Sequence, residues 1–276
     1  MPELPEVETV VRALDTVLVG RRIKGVRFLG RMRRDFDPAE ADCLLKGKKI
    51  TAVKRRAKYI VIECDGAVGL LSHLGMTGSF RVERAKVPYG KHDRAAVCLD
   101  GGEELRYADV RRFGFICPIV LPGEGLWPEE LDGLGLEPLE NAFNAKYLLS
   151  RALNRKTPAK IFIMDQAVVV GVGNIYANEA LHAARIDPRR AVNDLTAAEW
   201  KSLASEIRKT LRKSIKLGGS SIRNYRTVDG SEGAFQLVLN VYGRKAEACP
   251  ACGTEIESIR QGGRSTFFCP HCQCGR

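Results

Sequence analysis

The first nine residues, MPELPEVET, place a candidate nucleophile beside a candidate acid. An initiator methionine before a small residue is normally removed, which would leave Pro2 with a free secondary amine. An α-amino group has a reference pKa of about 7.7–8, so part of it is unprotonated at neutral pH and can attack a sugar C1′. Glu3 adjoins that amine and could transfer protons. From these residues alone we favour a simpler interpretation, in which Pro2 and Pro5 only begin a helix.

Four cysteines near the C-terminus form a second group with chemical potential. Cys249 and Cys252 make one Cys-x2-Cys unit, and Cys269 and Cys272 make another after 16 intervening residues. Paired units at this spacing indicate a structural zinc site with four thiolate ligands. A redox-active Cys-x-x-Cys is the alternative, but two units near a terminus argue against it.

The segment between the two cysteine pairs predicts a β-hairpin finger. Strand-like residues flank Gly262-Gly263, which suit a tight turn, and Arg264 would lie near the tip. His271 and Cys274 leave some ambiguity about the metal ligands, and we assign the four evenly spaced cysteines.

Charge and composition limit the class of protein. The 276 residues are enough for two modest domains, and 44 basic against 33 acidic residues give a net charge of +11. This balance indicates a polyanionic partner such as nucleic acid, although a basic housekeeping enzyme would also fit it. No run reaches transmembrane length and no signal peptide is visible, so we expect a cytoplasmic protein whose cysteines are thiols or metal ligands. Four further cysteines fall in predicted β structure and are expected to be buried and inert: Cys43, Cys64, Cys98 and Cys117.

The elements that must position these groups change character near the middle of the chain. Apolar residues at helical spacing follow Glu3 and end at Gly20, which predicts an N-terminal helix. Short strands separated by turns follow, and their number indicates a β-sandwich. The predicted strands are 22–29, 50–56, 59–64, 68–73, 79–83, 94–99, 104–108 and 114–120.

After a boundary placed in residues 121–141, the period becomes helical. Helices are predicted at 142–153, 158–165, from about Asn174 to before Pro188, and at 195–217. A glycine turn precedes Asn174, and helix N-termini bind phosphate, although an ordinary helical hairpin is as consistent with the pattern. Residues 218–236 are polar and glycine-containing, which predicts a mobile loop.

Several strings together resemble one enzyme family. They are MPELPEVET, RRAKY, HLGMTG, KHD, RRFG, VVGVGNIYANEAL, VYGRK and the cysteine quartet. From Pro2 to Cys272 the chain resembles formamidopyrimidine-DNA glycosylase, the bacterial bifunctional enzyme that removes oxidised purines. The resemblance implies an α+β fold: an N-terminal β-sandwich with an N-terminal helix (1–130), a helix-two-turns-helix domain (131–236) with a lesion-recognition loop (218–236), and a zinc-finger hairpin (241–276).

The resemblance also implies catalytic roles. Pro2 would be the nucleophile and Glu3 the proton donor during sugar opening and base loss. Lys58, which by itself would be interpreted as part of a solvated face, would transfer protons in elimination. The family gives the finger arginine, here Arg264, a proton-donor role, but an arginine gives up its proton poorly, so we expect it to clamp the phosphate leaving group.

The positions that match the family's DNA contacts are His92, Arg111, Lys156, Asn174 and Arg264. Met76, Arg111 and Phe113 match three residues that fill the space left when a base is extruded. Without the resemblance, Met76 and Phe113 would be interpreted as core residues. One departure is Val110, where the family usually has proline before RRFG; it would alter the stiffness of that loop.

These observations predict an enzyme of base-excision repair with one structural zinc ion. It would remove 8-oxoguanine and formamidopyrimidines from damaged double-stranded DNA and cut the abasic site by β,δ-elimination through a Pro2 imine. We expect a monomer with no membrane partner. Two alternatives are a sister enzyme that prefers oxidised pyrimidines, against which HLGMTG and RRFG argue, and a catalytically silent DNA-binding protein, against which Pro2, Glu3 and Lys58 together argue.

Overall fold

The computed structural model describes residues 1–123, 126–220 and 234–274. The described chain forms two compact units, each considered below by itself. The first comprises Met1–Asp132 together with residues 218–220. The second comprises Gly133–Leu217 together with residues 234–274. Residues 221–233, most of the predicted lesion-recognition loop, lie outside the described residues.

Two four-stranded antiparallel sheets form the sandwich of the first unit. The strands are β1 (Ile23–Phe28), β2 (Ile50–Arg56), β3 (Tyr59–Cys64), β4 (Val68–His73), β5 (Gly78–Arg84), β6 (Asp93–Leu99), β7 (Glu103–Asp109) and β8 (Phe115–Val120). Their order is β1-β6-β7-β5 in one sheet and β2-β3-β4-β8 in the other. Each predicted strand is present to within one or two residues, so the sandwich prediction is confirmed.

Helix α1 (Leu4–Leu18) begins with a cap made from its own acids. The Glu6 carboxylate accepts the backbone N–H of Glu3 at 2.8 Å, and the reciprocal bond completes a capping box. The apolar stripe of the helix, which includes Val7 and Leu14, is buried and packs against β2. Burial of this stripe fixes the helix, and with it the position of the Pro2 end, on the sandwich.

Helix α2 (Pro38–Leu45) is an element that the sequence prediction missed. Asp37 caps it by accepting the backbone N–H of Ala39, and Pro38 suits its first turn. Only Ala41 and Leu45 of this helix are buried, so the apolar period is too weak to identify.

Of the four cysteines predicted to be buried, two are buried, Cys98 is only partly buried, and the prediction for Cys43 is wrong. Cys43 lies on α2 and is exposed, because the helix turns that side towards solvent. Cys64 and Cys117 are buried in strands as expected, and burial raises the pKa of the Cys117 thiol to about 11. Cys98 lies in β6 and is half-buried.

The second unit is helical and ends in a small hairpin. Its helices are α3 (Ala145–Ala152), α4 (Ala159–Met164), α5 (Asn174–Ala183) and α6 (Ala197–Lys216). Helix α6 begins with a Thr196–Glu199 capping box, and its buried Trp200 meets the ring of Phe162 edge-on at 5.6 Å. Helices α3 and α5 both pack against α6, which gives this unit its core.

The finger hairpin consists of β9 (Glu257–Gln261) and β10 (Arg264–Phe268). Gly262 and Gly263 join them with φ angles of 53° and 75°, the left-handed conformation that a two-residue hairpin turn needs. Short 3-10 segments lie at Asp100–Gly102, Glu129–Leu131, Val192–Asp194 and Phe235–Val238. Within the described ranges, no helix is long and apolar enough to cross a bilayer.

Candidate active site

Pro2 and Glu3 are buried at the start of α1. Met1 precedes them and its side chain is 49% exposed, so removal of Met1 would not disturb the packing of the core. The capping box holds the backbone at Glu3, one bond from Pro2. This arrangement fixes the Pro2 nitrogen on a rigid element, as a reacting group requires.

Glu6 also holds a second, distant segment of the chain. Its second carboxylate oxygen accepts the backbone N–H of Ser220 at 2.7 Å, across 214 positions of sequence. Gly219 adopts a φ of 84°, and a Cβ there would lie 3.1 Å from the Glu6 Cγ. Glu6 therefore ties the chain at Gly219 and Ser220 to the N-terminal end of α1.

Lys58 lies in the two-residue turn between β2 and β3, where the preceding Ala57 adopts a φ of 55°. The lysine is only 8% exposed, so interpretation as part of a solvated face is wrong. Arg55, three positions earlier, donates to the Glu8 carboxylate of α1 at 2.8 Å. That ion pair brings the turn of Lys58 beside the first turns of the helix that carries Pro2 and Glu3.

The same ion pair sets the charge state of Glu8. Burial by itself would raise the pKa of Glu8, but the hydrogen bonds and charges of Arg55 and Arg12 hold it below its usual value. Glu8 is therefore an anion at neutral pH, and the tie between α1 and β2 is charge-assisted.

His73 connects the Lys58 turn to the next loop. Burial, reinforced by the positive charges of Lys58 and Arg33, lowers the pKa of His73 to about 4. The neutral ring accepts the backbone N–H of Gly75 through Nδ1 at 3.0 Å and lies 5.0 Å from the ring of Tyr59. His73 thus shapes the turn that presents Met76, a role that sequence analysis did not identify.

Met76, Arg111 and Phe113 project from two turns of the sandwich unit. Met76 is 39% exposed and Phe113 is 48% exposed, so interpretation of these two as core residues is wrong. The exposed guanidinium of Arg111 lies 4.7 Å from the centre of the Phe113 ring. Val110, the departure from the family pattern, is exposed beside them.

His92 is half-buried at the end of the loop before β6. Its backbone carbonyl accepts the N–H of Asp109 at 2.9 Å. Its Nδ1 is enclosed and has no hydrogen-bond partner within the ranges that the structure describes. The backbone of His92 is therefore held, while its ring keeps a nitrogen that can still form a hydrogen bond.

The remaining predicted DNA contacts lie in the second unit. Asn174 is the first residue of α5, and its side-chain amide donates to the backbone carbonyl of Ser265 at 3.0 Å. Arg264 is the exposed residue immediately before Ser265, so the structure brings Asn174 and Arg264 together. Lys156 is also exposed, and its neighbours Arg155 and Thr157 line the same cleft as Arg264. The three predicted contacts thus share one region of this unit.

Buried polar side chains fix the finger to the helices. The Lys160 ammonium is inaccessible to solvent and donates to the Ser265 carbonyl at 2.9 Å and to the Thr266 hydroxyl at 2.7 Å. Asn178 accepts the N–H of Phe267 at 2.7 Å. These long-range contacts hold the strand that begins at Arg264, and they were not identified from the sequence.

The four predicted metal ligands converge at the base of the finger. The sulfur atoms of Cys249, Cys252, Cys269 and Cys272 all lie within 4.8 Å of one another. The pairs Cys249–Cys272 and Cys252–Cys269 are separated by 4.0 and 3.5 Å. A tetrahedral ion with bonds of about 2.3 Å to sulfur would separate the sulfurs by about 3.8 Å, so the quartet fits zinc. His182 adds a buried ring nitrogen 3.5 Å from the Cys249 sulfur.

Comparison with known proteins agrees with this geometry. A model of the formamidopyrimidine-DNA glycosylase N-terminal domain matches residues 1–116, and one of the H2TH domain of the same family matches residues 134–226. The chain belongs to the formamidopyrimidine-DNA glycosylase family. A model of the zinc finger found in FPG and IleRS matches residues 246–273.

Members of this glycosylase family from several bacteria align with the whole chain. The formamidopyrimidine-DNA glycosylase of Alteromonas mediterranea is 47% identical, with 99% of this chain and 100% of the relative covered. That of Laribacter hongkongensis is 46% identical with the same coverage.

Solved structures of the family confirm the α+β fold. A complex of a Lactococcus lactis FPG mutant with DNA containing Fapy-dG has a TM-score of 0.88 at 35% identity, covering 99% of this chain and 100% of that one. The MutM (FPG) protein of Thermus thermophilus has a TM-score of 0.85 at 38% identity, covering 99% and 98%.

The glycosylase finger therefore contains one structural zinc ion, held by the cysteine quartet. Four thiolates leave no open position for a substrate, so the metal stabilises the finger and takes no part in the reaction. Cys274 is exposed, and its thiol donates to the His271 carbonyl. The ambiguity about these two residues is resolved in favour of the four cysteines.

Replacement of Cys252 with Ser should release zinc and weaken DNA binding by about tenfold or more, because the finger holds Arg264, the residue predicted to form a charged hydrogen bond with a phosphate. The sandwich should stay folded, since its core lies in the other unit. Metal analysis, DNA titration and circular dichroism measure the three effects. Cys43→Ser, a change at an exposed cysteine outside the finger, is the control. Global unfolding of Cys252→Ser would contradict the prediction.

The neutral state of His73 should make the sandwich sensitive to acid. An unfolded histidine binds a proton below about pH 6.5, whereas folded His73 stays neutral down to about pH 4. Its contribution is complete above about pH 6.5 and is lost progressively as pH falls from about 6.5 to about 4, a change of about 3 kcal/mol. Urea unfolding between pH 4 and 7 should therefore show a steeper loss for the wild type than for His73→Gln, which cannot be protonated. Parallel curves would refute this account.

Proposed function

We propose that this protein removes oxidised purines from double-stranded DNA and then cleaves the abasic site, as a bifunctional glycosylase and lyase. The observation that carries the proposal is the buried Pro2–Glu3 start of α1, with Lys58 in a turn tied to the same helix by Arg55 and Glu8. A mobile chain terminus would position a nucleophile poorly. A capped helix, by contrast, holds reacting groups within the tolerance that covalent catalysis requires.

The first chemical step uses Pro2 after removal of Met1. The lone pair of the Pro2 nitrogen forms a bond to C1′, the bond from C1′ to the damaged base breaks, and the base takes up a proton. Glu3 then donates a proton to the ring oxygen as the sugar opens, which leaves an iminium between Pro2 and C1′. Glu3 can serve because it is the residue next to Pro2 and its backbone is fixed by the capping box.

The iminium acts as an electron sink for two eliminations. Loss of the C2′ proton expels the 3′ phosphate, and loss of the C4′ proton expels the 5′ phosphate, which leaves a one-nucleotide gap with phosphate ends. We assign proton transfer in these steps to Lys58, which is shielded from solvent. Lys58 lies near enough to His73 for its charge to help lower the pKa of that histidine. Arg264 is assigned to the leaving phosphate, because a guanidinium binds phosphate through two parallel hydrogen bonds.

The DNA contacts are assigned to two groups of residues. His92, Arg111, Met76 and Phe113 lie on loops of the sandwich unit, and Lys156, Asn174 and Arg264 lie in the second unit. The net charge of +11 supports binding to a polyanion, and binding should weaken as salt rises. Met76 and Phe113 are exposed apolar side chains suited to insertion into a base stack.

The choice of lesion is supported by the relatives. Lactococcus lactis FPG has been crystallised with DNA that contains Fapy-dG and with DNA that contains an abasic site. The same protein has also been crystallised with DNA that contains an oxidised pyrimidine, so preference must be measured as relative rates. The proposal includes action as a monomer in the cytoplasm. Four of the nine cysteines form the metal site and none is in a disulfide, which supports a reducing compartment.

Arg111 should give the enzyme its preference for the base opposite the lesion. Cytosine offers acceptors at O2 and N3 to a planar guanidinium, whereas adenine places a donor on that edge. A bidentate contact discriminates by roughly 1–3 kcal/mol, or about tenfold to hundredfold. Cleavage of 8-oxoguanine duplexes should therefore favour cytosine over adenine in the wild type, and Arg111→Ala should lose most of that ratio.

The same gel assay separates the alternatives. The sister activity would cut an oxidised-pyrimidine duplex faster than the 8-oxoguanine duplex, and a silent DNA-binding protein would shift DNA without cutting it. If Arg111 were only a phosphate contact, Arg111→Ala would weaken cleavage of both duplexes equally and lower the salt dependence. An unchanged cytosine-to-adenine ratio would rule out the base-reading role.

A further inference from the structure

A buried carboxylate lies beneath the two turns that present Met76, Arg111 and Phe113. Asp109, the last residue of β7, is inaccessible to solvent. One of its carboxylate oxygens accepts the Thr77 hydroxyl at 2.5 Å and the Arg111 backbone N–H at 3.1 Å. The other accepts the Gly114 backbone N–H at 2.9 Å. A single side chain therefore ties both turns together.

Thr77 completes a small closed network. Its hydroxyl donates to Asp109 and accepts the Arg111 N–H at 3.0 Å, so this one N–H faces two acceptors. Residue Arg112 adopts a φ of 60°, a conformation that costs free energy in a non-glycine residue and persists only when its surroundings hold it. The hydrogen bonds on both sides of Arg112, at Arg111 and Gly114, supply that hold.

The two turns are also in direct contact, which leaves little freedom for adjustment. A Cβ at Gly75 would lie 2.5 Å from the backbone nitrogen of Gly114, and a Cβ at Gly114 would lie 2.1 Å from the Tyr107 hydroxyl oxygen. Burial, together with the charge of Asp109, raises the pKa of Tyr107, so the phenol stays protonated. The close approach and the hydrogen bonds together make the two turns one rigid platform.

The backbone of Asp109 extends the platform to a fourth predicted DNA contact. Its N–H donates to the His92 carbonyl at 2.9 Å, and its own carbonyl accepts from Arg94 Nε at 3.0 Å. Asp109 is thus bonded both to the backbone of Arg111 and to the backbone of His92, two of the residues assigned to DNA in this unit.

We propose that Asp109 and Thr77 are positioning residues that set the orientation of Arg111 and so determine discrimination of the base opposite the lesion. The inference rests on the proposed function. A bidentate contact requires a planar group at a defined angle. Arg111 is exposed, and its guanidinium packs against Phe113 of the same turn, so the conformation of that turn must supply the orientation. Loss of the Thr77 hydroxyl leaves the Arg111 N–H with one acceptor and Asp109 with one donor fewer. The turn should then be less rigid, while no cavity is created in the core.

Thr77→Val is the principal test, because it removes the hydroxyl and keeps the shape. It should lower the cytosine-to-adenine cleavage ratio about fivefold, the effect of losing one buried hydrogen bond. Thr77→Ser keeps the hydroxyl and should retain the ratio. In an Arg111→Ala background, Thr77→Val should change the ratio no further, because the residue through which it acts is absent. Asp109→Asn, which keeps the volume but cannot accept all three bonds, should lower the ratio more than Thr77→Val.

The outcomes separate this inference from the proposed function. A wild type that does not cleave the 8-oxoguanine duplex would overturn the proposed function itself. A wild type that cleaves with a cytosine preference, beside a Thr77→Val variant with an unchanged ratio, would overturn the positioning role alone. An equal loss of rate opposite cytosine and adenine would also overturn it, since that is the result of a merely structural change. Thermal melting of each variant shows whether the fold is retained, and the Thr77 variants keep the test valid if Asp109→Asn does not fold.

Discussion

The capping box between Glu3 and Glu6 is the interaction on which the proposed catalysis depends. The Glu6 carboxylate accepts the N–H of Glu3 and also that of Ser220, and it does so while almost wholly buried. A buried carboxylate is costly unless donors surround it, so these N–H groups are held firmly in turn. The start of α1 is thereby converted from a chain terminus, which would ordinarily fray, into a fixed platform for Pro2.

Buried charged residues also support two other segments that carry residues assigned to DNA. Asp109 lies beneath the turns of Arg111 and Phe113, and Lys160 lies beneath the strand that begins at Arg264. Glu179 of α5 accepts four hydrogen bonds of 2.9 Å from the segment that leads to the finger. Exposed ion pairs contribute little to stability, whereas breaking a buried, fully bonded group costs several kcal/mol. Stability and function are thus coupled through a few buried charges.

Elements with local signals were predictable from the sequence, and elements defined by distant partners were not. Strands such as Tyr59–Cys64 and Val68–His73 consist of alternating or continuous apolar residues between turns. The cysteine spacing identifies the metal ligands without reference to the fold. Helix Pro38–Leu45 was not predicted because it buries only two side chains, which is too few to produce a clear helical period. Lys58 has the sequence surroundings of a solvated residue, and its burial depends on how the β2–β3 turn meets α1.

The residues that hold the predicted site residues in position could not be identified from the sequence, for a related reason. The partner of Asp109 at Thr77 is 32 positions away and the partner of Glu6 at Ser220 is 214 positions away, so no spacing rule connects them. The resemblance to a known family identified the residues that are predicted to touch the substrate. It did not identify the residues that hold them, which required the geometry.

The most direct test of the central claim is reductive trapping on an 8-oxoguanine duplex, with the mature N-terminus identified by mass spectrometry. Borohydride reduces an iminium to a stable amine, so the account predicts a covalent protein–DNA adduct on a peptide that begins at Pro2. Pro2→Gly should still form an adduct through its primary amine, whereas retention of Met1 should abolish it. An adduct that maps to Lys58, or cleavage without any trapped adduct, would contradict the assignment of Pro2 as the nucleophile.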